Sequence, residues 1–167
     1  MEHVVRMGEL AVSREPGDVL ACIGLGSCIG LVLVDRGAGV AALAHVMLPA
    51  GPGGTPPAKF ADSGVPATIE RVLGAGARQV RLEAALVGGA SMFAMSGGQE
   101  IGARNEEAVA ELLGRQRIPV VATATGGSRG RTVRLTVAPA GVTPAVTVRE
   151  AGGADVPLSL DPALVAA

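Results

Sequence analysis

Apolar residues in this chain come in short runs, each closed by glycine, proline or a charged residue, which is the pattern of strands rather than of long helices. Val4 to Val12 predicts a strand, or a pair of short strands interrupted at Gly8. Pro16-Gly17-Asp18 is a turn signal, and Val19 to Ile23 predicts a short buried strand. After the glycine loop Gly24-Leu25-Gly26-Ser27, the β-branched run Ile29 to Val34 predicts another strand. Asp35 to Gly39 reads as a hairpin-type turn and Val40 to Leu48 as the return strand, ended by Pro49. Residues 50 to 61 form a Gly/Pro-rich loop that can flank a site.

From there the period changes. Asp62 is placed as N-cap of a helix reaching about Gly74, with Val65, Ile69, Val72 and Leu73 on one face. Val80 to Val87 predicts a strand running into Gly88-Gly89, and Ser91 to Met95 a short irregular or helical piece. Asn105 is read as the cap of a second helix. Glu106 and Glu107 sit in its first turn, where the helix dipole favours them, and Ala108, Val109, Leu112 and Leu113 form its stripe. Strands are predicted over Ile118 to Ala124, Thr132 to Ala138 and Val142 to Arg149, and a tail of little pattern from Pro157. Many strands and two helices argue an α/β (α+β) fold: a mixed β-sandwich core with helices packed on one or both faces. The expectation is one domain over residues 1–167, with a core from about 4 to 150 and a C-terminal tail over 151–167.

Composition narrows the function. Apolar residues make up 49% of the chain, yet Phe60 and Phe93 are its only aromatics, so Ala, Val, Leu and Gly must fill the interior. The net charge of −1 comes without a basic block, and Tyr and Trp are absent, which argues against nucleic acid as a partner. No unbroken apolar stretch is long enough to insert in a membrane. Glu2, His3 and Arg6 precede any apolar run, unlike a signal peptide. The expected compartment is the cytoplasm, where Cys22 and Cys28 are free thiols. Neither spacing nor number of Cys and His suits a metal, since Cys22 and Cys28 are not in Cys-x-x-Cys spacing and His3 lies near the end.

One constellation can carry chemistry. Cys28 follows the glycine loop directly, where glycines let backbone N–H groups approach a substrate, as an oxyanion requires. Gly26 and Ser27 are the candidate oxyanion-binding residues. The one internal histidine, His45, lies on the next predicted strand. In an antiparallel hairpin, paired residues share one index sum. A two-residue loop pairs Asp35 with Ala38, 35 + 38 = 73, and 28 + 45 = 73 sets Cys28 directly opposite His45. A four-residue loop raises the sum to 75 and makes them diagonal neighbours on one face, roughly 7–8 Å apart. Loops of three or five residues put them on opposite faces. Where they meet, the imidazole takes the thiol's proton and the thiolate attacks an amide carbonyl. The competing reading is a buried cysteine and a core histidine with packing roles only.

Gly24-Leu25-Gly26-Ser27-Cys28 followed by Ala44-His45-Val46-Met47-Leu48-Pro49 resembles the CheD family of chemoreceptor glutamine deamidases. So do Lys59-Phe60-Ala61-Asp62, Gly88-Gly89-Ala90, Ile101-Gly102-Ala103-Arg104-Asn105 and Thr125-Gly126-Gly127 with Arg129-Gly130-Arg131, in family order from about Met7 to Val148; in these motifs Asn105 can also brace the site and Gly88-Gly89 form a tight turn beneath it. The resemblance implies a cysteine hydrolase that converts glutamines of methyl-accepting chemotaxis receptors to glutamate, with Cys28 as nucleophile and His45 as base. It implies no cofactor, a fold similar to a deamidating toxin, and a CheC-type phosphatase of CheY as partner on the substrate-binding face. It also implies a third catalytic residue, a threonine six positions before the cysteine, where this chain has Cys22. A thiol is a weaker hydrogen-bond partner than a hydroxyl. Either Cys22 orients His45 poorly, or a backbone carbonyl orients it, or activity is reduced. Oxidation to a Cys22–Cys28 disulfide would silence the nucleophile. The alternative function is a chemotaxis binding module for receptor and CheC with little residual catalysis.

Overall fold

A computed structural model describes residues 1–91 and 100–161, with residue 100 as backbone only. The predicted Ser91 to Met95 piece falls almost wholly outside the described residues. Among those described, ten strands form two five-stranded sheets. The first holds β1 (Glu2–Val4), β3 (Val19–Leu25), β8 (Arg131–Thr136), β9 (Ala145–Glu150) and β10 (Asp155–Pro157), in the order β1-β3-β8-β9-β10. The second holds β2 (Leu10–Ser13), β4 (Ile29–Asp35), β5 (Val40–Val46), β6 (Glu83–Gly88) and β7 (Val120–Thr125), in the order β2-β5-β4-β6-β7. Helices α1 (Ala61–Gly74) and α2 (Glu100–Arg115) cover the outer face of the second sheet. The fold is therefore mixed α+β, a sandwich with helices on one face.

Burial explains the two apolar patterns. Every residue of β4 and β5 is buried, because helices cover one face and the first sheet the other. Ile29, Leu31 and Leu33 pack with Val65, Ile69, Val72, Val109 and Leu113 on the helix side. Val32, Val34, Ala41 and Leu43 pack with Leu20, Val133, Leu135 and Val146 between the sheets. Such doubly covered strands read as continuous apolar runs, whereas β8, with one solvated face, alternates.

Several boundaries differ from expectation. The break at Gly8 carries the chain from one sheet to the other: β1 pairs in parallel with β3, while β2 pairs with β5. The N-cap of α1 is Phe60, not Asp62. Leu48 and Phe60 form a parallel bridge and the Ala61 N–H donates to the Leu48 carbonyl, so backbone pairing starts this helix. Asp62 lies in the first turn and accepts from the Gly51 N–H at 3.3 Å. Asn105 is not a cap either: it lies inside α2, fully buried. The start of the predicted 80–87 strand is a 3-10 turn, Gln79–Arg81. The segment read as tail carries β10, and Leu160 is buried in the inter-sheet core.

Candidate functional site

The β4–β5 hairpin settles which loop joins the strands. Asp35 pairs with Val40 across a four-residue turn, and Gly30 pairs with His45. All pairs of this ladder sum to 75, so Cys28, one residue before β4, stands diagonal to His45 and on its face of the ribbon. That face looks into the space between the two sheets. Cys28 packs half-buried at the edge of the inter-sheet core, and His45 is 5% exposed on the same side.

The ring of His45 has a definite orientation. Its Nδ1 lies 3.0 Å from the Val5 carbonyl oxygen. A carbonyl can only accept, so the neutral ring carries its proton on Nδ1 and leaves the Nε2 lone pair unprotonated. The backbone of His45 is fixed too, its N–H donating to Glu9 O and its C=O accepting from Gly8 N, both at 2.9 Å. Among the described residues no hydrogen bond joins Cys22 to His45; the orienting partner present is Val5. Cys22 is fully buried on β3 within the inter-sheet core, and both cysteines are free thiols.

Burial sets the electrostatics. It pushes the Cys28 thiol above its ordinary value, partly opposed by that residue's own N–H. It pushes the His45 imidazole below its ordinary value, against the Val5 carbonyl and the charge of Glu9. Both groups therefore rest neutral near pH 7, a thiol and an imidazole on one face of the ribbon. Burial holds the Cys22 thiol far higher still, and the nearby Cys28 adds to this.

The loop before Cys28 is held by its carbonyls. Gly26 O accepts from Ala90 N and Cys28 O from Gly89 N, both at 2.9 Å. Ser27 O accepts from Asn105 Nδ2 at 2.9 Å, and the same nitrogen donates to Met47 O at 2.9 Å. Gly88 makes this clamp possible: with φ of +110°, a Cβ there would sit 2.2 Å from the Cys28 carbonyl oxygen. Arg131, itself buried, donates to Gly126 O at 2.7 Å and Gly88 O at 3.3 Å, bracing the glycine turns behind the site. Gly26 and Ser27, the candidate oxyanion residues, therefore lie with their carbonyls tied back. The N–H groups of Ser27 and Cys28 meet no backbone carbonyl among the described residues, and that of Cys28 faces its own thiol. Spacing could not reveal the Val5 contact, whereas the resemblance already offered Asn105 as a brace and Gly88-Gly89 as a tight turn beneath the site. No group of His, Cys, Asp and Glu able to hold a metal occurs among the described residues. No helix among them is long and apolar enough to cross a membrane.

Comparison with known proteins bears on this arrangement. Residues 47–145 match the family model described as CheD chemotactic sensory transduction. That match begins beyond both Cys28 and His45. A chemoreceptor glutamine deamidase CheD from Thermotoga maritima is 44% identical over 156 residues, covering 93% of this chain and 96% of its own. An alignment that long spans the hairpin as well. A probable chemoreceptor glutamine deamidase CheD from Symbiobacterium thermophilum is 44% identical, covering 80% of this chain and 85% of its own. The chemoreceptor glutamine deamidase CheD of Bacillus velezensis is 45% identical, covering 79% and 84%.

Proposed function

The chain belongs to the CheD family, and from that premise we propose that it hydrolyses glutamine side chains of chemotaxis receptors to glutamate, with Cys28 as nucleophile and His45 as base. The observation that carries this is the shared face of Cys28 and His45 on one ribbon, with the His45 ring held through Nδ1 so that Nε2 is free.

The steps follow from the two neutral groups. His45 Nε2 takes the thiol proton as Sγ attacks the amide carbon, so no charged pair need persist in the resting site. The amide oxygen gains negative charge and meets the N–H groups at Ser27 and Cys28. Collapse of the tetrahedral species expels ammonia, protonated by the His45 imidazolium, and leaves a thioester. Water, deprotonated by His45, attacks that thioester; glutamate leaves and the thiol is restored. Only chain groups take part, and no cofactor is needed. Cys22 replaces the threonine that the family uses as its third residue, and we assign its orienting task to the Val5 carbonyl.

We place the reaction in the cytoplasm, where the receptor's signalling end lies and the thiol stays reduced. The same reading makes a CheC-type phosphatase a competing occupant of the substrate face. The test is incubation with a receptor cytoplasmic fragment, reading ammonia release and the amide-to-acid mass gain on mapped glutamines. Activity that vanishes in both Cys28→Ala and His45→Ala supports the enzyme. An inert wild-type chain that still captures receptor or CheC sinks it in favour of a binding module.

A further inference from the structure

The end of the β4–β6 ladder is only half made. β4 and β6 pair with a constant sum of 117, from Val34 with Glu83 to Ile29 with Gly88. Continued by one step, the ladder sets Cys28 opposite Gly89. An antiparallel pair at this phase exchanges two bonds. One exists, Gly89 N–H to Cys28 O at 2.9 Å. Its counterpart, Cys28 N–H to Gly89 O, is absent. The Gly89 carbonyl is turned toward α2, where a Cβ on Gly102 would lie 2.5 Å from it.

Three successive carbonyls, of Gly26, Ser27 and Cys28, are each tied by a donor. In a trans peptide C=O and N–H point in opposite directions. Fixing Ser27 C=O therefore aims the Cys28 N–H away from α2. Two of the three donors are backbone groups; the third is the side chain of Asn105. Its amide nitrogen spends both hydrogens on Ser27 O and Met47 O, one on each strand at the open end of the β4–β5 ribbon. Its Oδ1, buried, has no partner among the described residues. An unsatisfied buried acceptor is a cost that the fold carries. Exchanging the amide's O and N would set an oxygen against two carbonyl oxygens, so the network itself fixes the orientation.

We infer that Asn105 is the positioning residue of the oxyanion site: by holding Ser27 O and Met47 O it keeps the Cys28 N–H open to the amide oxygen of the substrate. The inference rests on the deamidase reading. It makes Asn105 act through the nucleophile's own peptide rather than on substrate.

The experiment compares wild type and Asn105→Ala in two reactions at one thiol. Alkylation by iodoacetamide is a displacement at carbon and builds no oxyanion; deamidation of a receptor fragment does. Losing one oxyanion donor costs about 100-fold or more in kcat. The expected result is that fall in kcat with KM nearly unchanged and the alkylation rate within about two-fold of wild type. Equal falls in both reactions, or an unchanged kcat, overturn the inference. A wild type that releases no ammonia defeats the deamidase reading instead, whatever Asn105→Ala does.

Should Asn105→Ala not fold, the wild-type chain still decides. A receptor peptide whose glutamine amide is replaced by an aldehyde adds Cys28 Sγ to its carbonyl carbon, the thiol proton passing to the new oxygen through His45. The Cys28 amide proton should then move downfield in ¹⁵N-resolved NMR, while the Asn105 side-chain protons exchange slowly throughout. A Cys28 amide proton that does not move on adduct formation overturns the assignment.

Discussion

The two ends of the β4–β5 ribbon are built from the same apolar strands but treat their polar groups in opposite ways. At the turn, Asp35 is fully buried and saturated. Its carboxylate accepts from Ala38 N at 3.1 Å, Arg78 N at 2.8 Å and Arg81 Nε at 2.9 Å. Burial alone would raise its pKa; Arg81 and the two N–H groups outweigh that and hold it below the usual value. Beside it Arg36 pairs with Glu83 at 2.9 Å and also donates to Thr143 and the Leu160 carbonyl. At the far end, donors and acceptors are left over: the Cys28 N–H, the Nε2 of His45 and the Oδ1 of Asn105. A saturated end stabilises the hairpin, and that stability lets the other end hold unsatisfied groups in place for the proposed chemistry.

This contrast can be broken at either end. The largest effect belongs to Cys28→Ala, which should lower deamidation by about 10⁴-fold or more, to background, with the melting temperature nearly unchanged. His45→Ala should follow at about 10²–10⁴-fold. Ammonia release and a thermal melt on the same samples check both, and a surviving Cys28→Ala activity would place the chemistry elsewhere. At the turn the reverse is expected. Asp35→Ala leaves two part-buried N–H groups and Arg81 without their acceptor and should cost about 3 kcal/mol, read by urea unfolding. Its kcat, measured well below the melting temperature, should stay at the wild-type value; a matching loss of kcat would show that the two ends are not independent.

Smaller effects sharpen the picture of the neutral pair. Alkylation of Cys28 tracks its thiolate fraction, so its rate should still be climbing above the ordinary thiol pKa of about 8.5. A plateau already reached near neutrality would mean a preformed thiolate–imidazolium pair. The depressed imidazole makes a linked statement about stability. Below about pH 6.5 the unfolded chain takes up a proton that folded His45 refuses until lower pH. This contribution is thus fully present above that pH and is lost as pH falls through the folded value. His45→Gln should flatten that part of the stability–pH curve, measured by denaturant midpoint. Cys22→Thr is expected to matter least, because Val5 already orients the ring; a several-fold gain in kcat would restore the third position to the mechanism.

Much of this was written locally. The alternation of β8, the continuous runs of β4 and β5 and the stripes of α1 and α2 follow from hydrophobic period, since a residue's burial depends on its phase within its own element. The proposed nucleophile and base were candidates already in Gly24-Leu25-Gly26-Ser27-Cys28 and the single internal histidine. The register could be reduced to two same-face alternatives, sums of 73 and 75. Asp62 and Asn105 show where local reading stops. Both carry cap chemistry, yet the backbone bridge from Leu48 starts α1, and α2 begins a full turn before Asn105.

Tertiary structure alone decided the rest. The four-residue turn is chosen because Asp35 finds Arg78 and Arg81, which lie more than forty positions away. The partner of His45 is a carbonyl, and every residue except its identity-bearing side chain offers the same one; nothing in the letter Val5 marks it. The same holds for the carbonyls of Ser27 and Met47 that Asn105 gathers. Side chains announce themselves in a sequence, but backbone groups are identical at every position, and only the fold selects which of them meet.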